Sequence, residues 1–353
     1  MFKIIKRSKK SNARVGLLKT AHGDIQTPVF MPVGTLATVK GMTVDNLNEI
    51  GAQIILANTY HLSLRPTTER LEQYGGIHSF MNWKKPILTD SGGYQVFSLS
   101  KTRKIFSDRV EFKSHLDGSL KVFTPQNVID HQRRIGSDIW MPLDICTPYP
   151  ASKDDVRKDM AVTNKWIKDA HGYWDQLDTK SLFFSIIQGG MYPDLRKECV
   201  SEFKDMGFSG FALGGVSVGE PREEMEEIVA SVTPELPEDK PRYLMGVGLP
   251  ENMDFCIQQG IDMFDCVAPA RLARHGHVFT KNGKINLKNK QFQDDLTPID
   301  DCDCMTCQSY SKAYLRHLLV CKEMLGPILL SYHNIHFLVK MVDKIRNDIL
   351  AED

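Results

Sequence analysis

Eight short apolar runs punctuate the chain, at residues 29–33, 54–58, 87–90, 139–144, 183–188, 211–215, 243–248 and 263–267, and most end in a polar residue or glycine. The runs are continuous, where a half-exposed strand would alternate, and continuous runs suit parallel strands covered on both faces. The segments between them are long enough for a helix or a crossover. Eight such units predict an α/β fold of the (β/α)8 TIM-barrel type, with residues 1–353 as one barrel domain. An open doubly wound sheet is the rival, but no dinucleotide-type glycine fingerprint opens a helix after the first strand. The stretch Leu213-Gly214-Gly215-Val216-Ser217-Val218-Gly219 has glycines at a different spacing.

Three departures from the strand-helix rhythm read as insertions. Residues 1–27 alternate apolar and polar positions around a His22-Gly23-Asp24 turn, which predicts an N-terminal antiparallel hairpin. Residues 97–124 carry Val110-Glu111-Phe112 and an Asp117-Gly118 turn, a second hairpin. Residues 286–335 interrupt the barrel late, with helices expected over 311–325 and 335–350.

In a parallel barrel the functional groups stand at the C-terminal ends of the strands. Those ends carry Asn58, Asp90, Asp144, Gln188, Gly214, Gly215, Met245 and Asp265, so they are expected at one mouth. Several carboxylates on one rim repel each other when ionised, which points to chemistry. Asp262 competes with Asp265, but it stands early in its strand.

The late insertion holds Cys302, Cys304 and Cys307, and His333 follows after a gap of 25 residues. A C-x-C-x2-C…H pattern supplies four ligands for one tetrahedral Zn²⁺, and four protein ligands leave no open position for activating water. One structural zinc per chain is therefore expected, ahead of a redox cluster or a disulfide knot. His336 is the rival to His333, and His317 is a weaker candidate. Cys146, Cys199, Cys256, Cys266 and Cys321 are dispersed, which suits a reducing compartment.

With 353 residues, 42% hydrophobic and 25% charged, the chain can bury a large core. Lysine plus arginine equals aspartate plus glutamate at 44 each, so bulk charge says nothing about nucleic acid. Local charge does: residues 266–290 contain no acidic side chain but include Arg271, Arg274, Lys281, Lys284, Lys288 and Lys290, with His275 and His277 as further donors. No run has the length of a signal peptide or a membrane span, so a cytoplasmic protein without membrane association is expected.

The strings Met31-Pro32-Val33-Gly34-Thr35, Asn58-Thr59-Tyr60-His61-Leu62, Asp90-Ser91-Gly92-Gly93-Tyr94-Gln95, Phe112-Lys113-Ser114-His115-Leu116-Asp117-Gly118 and Glu323-Met324-Leu325-Gly326, taken with the zinc pattern, run nearly end to end. Together they resemble the bacterial branch of the queuine tRNA-ribosyltransferase (tRNA-guanine transglycosylase) family. The resemblance implies exchange of guanine at the first anticodon (wobble) position of tRNAs with GUN anticodons for a 7-deazaguanine base, in queuosine biosynthesis.

By the same resemblance Asp265 is the nucleophile, forming a covalent glycosyl ester, and Asp90 the general acid/base. Asp144 and Gln188 pair with the base edge, the Gly215 amide with its carbonyl, and Tyr94 and Met245 sandwich its faces. The Val216 carbonyl faces the exocyclic substituent, and Glu220 sets which end of that peptide points inward. Val218 and Cys146 resemble the arrangement that takes 7-aminomethyl-7-deazaguanine in preference to queuine. Arg271 and Arg274 match positions that hold the anticodon-loop backbone, and a homodimer with the zinc subdomain near its interface is implied. Ala268, Ala270 and His275 depart from the usual pattern. A non-catalytic partner subunit and a zinc-dependent barrel hydrolase are the alternatives; the first is opposed by the retained carboxylates, and the second needs an open metal position.

Overall fold

The computed structural model describes residues 2–99 and 102–352. Its centre is an eight-stranded parallel sheet made of Val29–Pro32, Ile55–Asn58, Ile87–Asp90, Ile139–Trp140, Leu182–Ile187, Gly210–Leu213, Arg242–Leu244 and Met263–Cys266. Each strand pairs with its predecessor in chain order, and the eighth pairs with the first. First and second strands meet through a single bridge, Val33 to Leu56, with the Gly34 N–H donating to the Leu56 carbonyl at 2.6 Å. The sheet thus closes into the TIM barrel.

The helices that cover the barrel start and stop where local chemistry dictates. In Pro125–Ile135 the Thr124 hydroxyl accepts from the Asn127 N–H while the Asn127 side chain accepts from the Thr124 N–H, satisfying two donors that a helix start leaves bare. Pro125 occupies the first turn, where its missing N–H costs nothing, and Gly136 at φ +77° ends the helix. Val128, Ile129, Gln132 and Ile135 form the buried face.

Gln132 explains why the fourth strand is shorter than its apolar run. The ladder stops at Trp140, and beyond it the Gln132 amide accepts from the Met141 N–H and donates to the Met141 carbonyl, both at 2.9 Å. A buried side chain has replaced the neighbouring strand. The backbone released there carries Asp144 into the mouth. The seventh run likewise leaves the ladder after Leu244.

Both expected hairpins are three-stranded antiparallel sheets: Phe2–Arg7, Arg14–Thr20 and Gly23–Thr27 at the N-terminus, and Arg103–Ile105, Val110–Lys113 and Leu120–Phe123 in the insertion. The N-terminal sheet closes the end of the barrel opposite the mouth. There Arg14 Nε and Nη2 donate to the two Asp262 oxygens at 3.0 and 2.6 Å, and Asp262 also accepts from the Arg242 N–H at 2.7 Å. Asp262 is fully buried in this ion pair, away from Asp265's cavity, and is unsuited to attack a substrate.

The C-terminal part contains a short hairpin, His277–Thr280 with Gly283–Asn286, that the apolar pattern did not announce. It then forms helices Met305–Ser309, Lys312–Val320 and Leu325–Ala351. The last helix begins ten residues before the expected position 335, because Gly326 and Pro327 fall in its first turn, where they do not break it. It packs on the first barrel strand. Among the described residues no helix is long and apolar enough to cross a membrane.

Candidate active site at the barrel mouth

The strand ends surround a cavity of about 360 Å³, within the range of small-molecule sites. Asp90, Tyr94, Asp144, Cys146, Gly215, Val216, Val218, Met245, Asp265 and Arg271 all line it. Gln188 stands just behind, its Nε2 donating to Asp144 Oδ2 at 2.8 Å. Arg274 lines a smaller adjoining pocket together with Lys40 and Ala270, and donates to the Ala270 carbonyl at 3.1 Å. The sequence-designated mouth residues are therefore brought together, except that Glu220 acts from the loop beside the cavity.

The three carboxylates sit in different environments. Asp90 accepts from Asn58 Nδ2 at 2.6 Å and from the Thr59 N–H at 3.2 Å, yet burial, with Asp265 and Asp144 nearby, pushes its pKa up to about 8. Asp144 accepts from Gln188 and, at 3.4 Å, from Ser91 Oγ; burial still raises it to about 6. Asp265 accepts at one oxygen only: Oδ1 takes the Tyr243 hydroxyl at 2.5 Å and the Gly246 N–H at 2.8 Å. Burial raises its pKa as well, and those two donors oppose the rise. Two carboxyl groups near one cavity with a shared reluctance to ionise are the arrangement in which one holds a proton while the other attacks.

The floor is shaped by glycine. A Cβ on Gly93 would lie 2.6 Å from the Asp144 carbonyl and from its Oδ1, and one on Gly214 would lie 2.6 Å from Ile186 Cγ2. Gly215 adopts φ +61°, and a Cβ there would strike Gln188 Oε1 at 2.6 Å. These glycines let the mouth loops pack directly against Asp144, Ile186 and Gln188.

Two contributors escape sequence reasoning. Tyr243 reads as a core aromatic within Arg242-Tyr243-Leu244, and only its hydroxyl's contact with Asp265 separates it from that role. Arg196 sits in the charged helix Pro193–Phe203, where a solvated side chain is the default, but it is fully buried beneath the mouth. A usable signal existed for Arg196: its place four residues after Tyr192, in the helix that follows the Gly189-Gly190 pair.

Away from the mouth, Cys302, Cys304, Cys307 and His333 come together with all four ligand atoms within 4.8 Å of one another. His333 Nδ1 lies 4.0, 3.4 and 3.4 Å from the three sulfurs. Zinc bonds of roughly 2.3 Å to sulfur and 2.1 Å to nitrogen at a tetrahedral angle place S and N about 3.6 Å apart, so the donors fit the ion. His333 Nε2 is 2.8 Å from the Phe279 carbonyl, a contact that fixes the ring with Nδ1 toward the cluster. His336 instead contacts Asp303 Oδ1 at 3.2 Å, and His317 lies 3.7 Å from the Cys321 sulfur.

Fold and site define a (β/α)8 barrel with a carboxylate-lined mouth and a separate Cys3His metal cluster. A family model described as queuine tRNA-ribosyltransferase matches residues 8–353. Relatives named queuine tRNA-ribosyltransferase include one from Caldanaerobacter subterraneus subsp. tengcongensis, 54% identical over 349 residues, covering 99% of this chain and 93% of the relative. One from Thermoanaerobacter pseudethanolicus is 53% identical over 352 residues, with 99% and 93% covered. The chain belongs to the queuine tRNA-ribosyltransferase family.

Proposed function

We propose that the chain is a tRNA-guanine transglycosylase of queuosine biosynthesis, exchanging guanine at the wobble position of tRNAs with GUN anticodons for 7-aminomethyl-7-deazaguanine. The observation that carries this reading is Asp265: one oxygen is tied by Tyr243 and Gly246, which leaves the other for attack, beside an Asp90 whose pKa is about 8.

Asp265 Oδ2 attacks the ribose anomeric carbon as the glycosidic bond breaks, its electron pair leaving with guanine. Asp90, protonated at neutral pH, gives its proton to the departing base. The incoming base then loses its ring N–H proton to Asp90, and that nitrogen displaces Asp265. Two inversions give net retention. One glycosidic bond replaces another, so the exchange needs no external energy source.

Asp144 and Gln188 read the pyrimidine edge, the Gly215 N–H binds the base carbonyl, and Tyr94 and Met245 cover its faces. The aminomethyl preference is supported by Glu220, which accepts from the Ser217 N–H and, at 2.8 Å, from the Val218 N–H. In a trans peptide the carbonyl points opposite to the N–H, so the Val216 carbonyl turns away from Glu220 and toward the cavity that Val216 lines, where it suits an ammonium group. Val218 and Cys146 fill the space a bulkier cyclopentenediol needs.

Arg271 and Arg274 hold the anticodon-loop backbone. Zn²⁺ bound by Cys302, Cys304, Cys307 and His333 ties residues 286–335 together as a subdomain of the single barrel unit and supplies no chemistry at the mouth. Exposed Tyr314, Val320, Met324 and Ile328, on the last two helices and the turn between them, support a homodimer, and the reaction belongs in the cytoplasm.

The test is incorporation of labelled guanine, 7-aminomethyl-7-deazaguanine and queuine into unmodified tyrosine tRNA, with wild type and Asp265→Asn, and a denaturing gel for a trapped protein–RNA adduct. Incorporation by wild type alone, best with the aminomethyl base, is expected. No incorporation by folded, zinc-loaded protein overturns the assignment.

A further inference from the structure

Arg196 is a fully buried guanidinium that forms no salt bridge among the described residues, the Glu220 carboxylate acting on it only from a distance. A buried charge without a counter-ion is costly, so its partners matter. All of them are main-chain carbonyls: Nε donates to Gly190 at 2.7 Å, Nη1 to Ile187 at 2.9 Å, and Nη2 to Gly214 at 2.9 Å and Gly215 at 3.3 Å. Burial pulls its pKa down to about 10, which leaves it charged at neutral pH.

The carbonyls belong to the end of the fifth strand and to the loops that follow the fifth and sixth strands, the two that carry Gln188 and Gly215. One planar fork therefore sets the relative position of the two groups that face the base. The space is made for it: Gly189 stands at φ +145°, and a Cβ there would lie 2.6 Å from Arg196 Cγ. The Gly214 N–H closes the clamp by donating to the same Ile187 carbonyl at 3.2 Å.

We propose that Arg196 is a positioning residue for base recognition, polarising the Gly214–Gly215 peptide so that the Gly215 N–H becomes a stronger donor to the base carbonyl. This rests on the reading that the Gly215 N–H meets that carbonyl. Arg196 Nη2 pulls on the Gly214 oxygen, and the N–H at the other end of the same peptide unit is Gly215's. Hydrogen bonds in such a chain strengthen one another in a low-dielectric interior. The gain is greatest when the base departs with the electron pair of the glycosidic bond, because its carbonyl oxygen then carries much of the negative charge. Arg196 touches neither base nor ribose in this scheme.

The experiment compares inhibition by guanine and by 6-thioguanine, which keeps the ring N–H and the amino group but replaces the carbonyl oxygen with sulfur, a weak acceptor. Full-length zinc-loaded wild type, Arg196→Lys and Arg196→Met are used. Wild type favours guanine. In Arg196→Met guanine weakens by about twofold while 6-thioguanine changes little, and Arg196→Lys falls between. Equal loss for both bases overturns the proposal and leaves Arg196 a strand tie. A wild type that does not distinguish the two bases sinks the Gly215 reading instead. If the variants do not fold, ¹⁵N-arginine-labelled wild type decides: the Arg196 Nη signals shift with guanine and not with 6-thioguanine, and unmoved signals overturn the proposal.

Discussion

The Tyr243 hydroxyl donates to Asp265 Oδ1 at 2.5 Å, and the Gly246 N–H joins it on the same oxygen. The two donors lock the carboxylate's rotation and offset part of the burial cost of its charge. Tyr243→Phe removes the larger opposing contribution, so the pKa of Asp265 rises further. The acid limb of the kcat/KM profile should move to higher pH, while Asp265→Asn should lower exchange by at least about 10³-fold. Rates measured from pH 5 to 9 check both; an unmoved acid limb in Tyr243→Phe removes the tyrosine from any electrostatic role.

Asp90 links activity and stability to pH in the same window. Its folded pKa of about 8 lies above the unfolded value of 3.8, so between those values the native protein holds a proton that the unfolded chain releases. Stability therefore declines as pH rises through the window and levels off above 8. Asp144, at about 6, adds a decline of the same sign over a narrower range. Asp90→Asn should raise Tm at pH 8 by roughly 2 °C or more, with the two curves converging toward pH 4, while exchange is lost. Wild-type kcat/KM should fall above pH about 8. A variant no more stable than wild type at pH 8 contradicts the burial argument.

Chelation separates the metal from the chemistry. Removing zinc should lower Tm by roughly 10 °C or more. His333→Ala should purify without metal, whereas His336→Ala, which removes contacts with Asp303 and Tyr332 but leaves the four clustered donors in place, should retain one zinc per chain. Metal analysis beside thermal melts decides, and equal zinc content in the two variants would reassign the fourth ligand.

Glu220→Gln tests the proposal that the Val216–Ser217 peptide faces the exocyclic substituent. An amide accepts more weakly than a carboxylate and offers a donor of its own, so the Ser217 and Val218 N–H groups lose part of their anchor. The preference for the aminomethyl base over guanine should drop by about tenfold with turnover of guanine largely kept. A loss shared equally by both bases points to general damage of the loop.

The barrel was legible because each strand is a continuous apolar run and each spacer is long enough to return. Strand ends were less so. Met141-Pro142-Leu143 is as apolar as the strand before it, and nothing local says that Gln132, nine residues upstream, will take over hydrogen bonding from the sheet. The start of the last helix was hidden for the opposite reason: Gly326 and Pro327 look like punctuation but fall where a helix tolerates them. Asp90 and Asp144 stand out as polar residues closing apolar runs, and Asp265 as a carboxylate inside one. Arg196 and Tyr243 do not, because their importance lies in which carbonyls and which carboxylate the fold lays beside them.

The single bridge between Val33 and Leu56 gives the barrel a grain. Elsewhere around the ring neighbouring strands share at least two paired residues, so main-chain pairing is sparsest at this junction. Asp265 stands on the eighth strand, one strand to one side of the junction, and Asp90 on the third, one strand to the other. A change of spacing at that junction would therefore change the span between Asp265 and Asp90. The last helix, which carries His333 and packs on the first strand, braces one side of that junction.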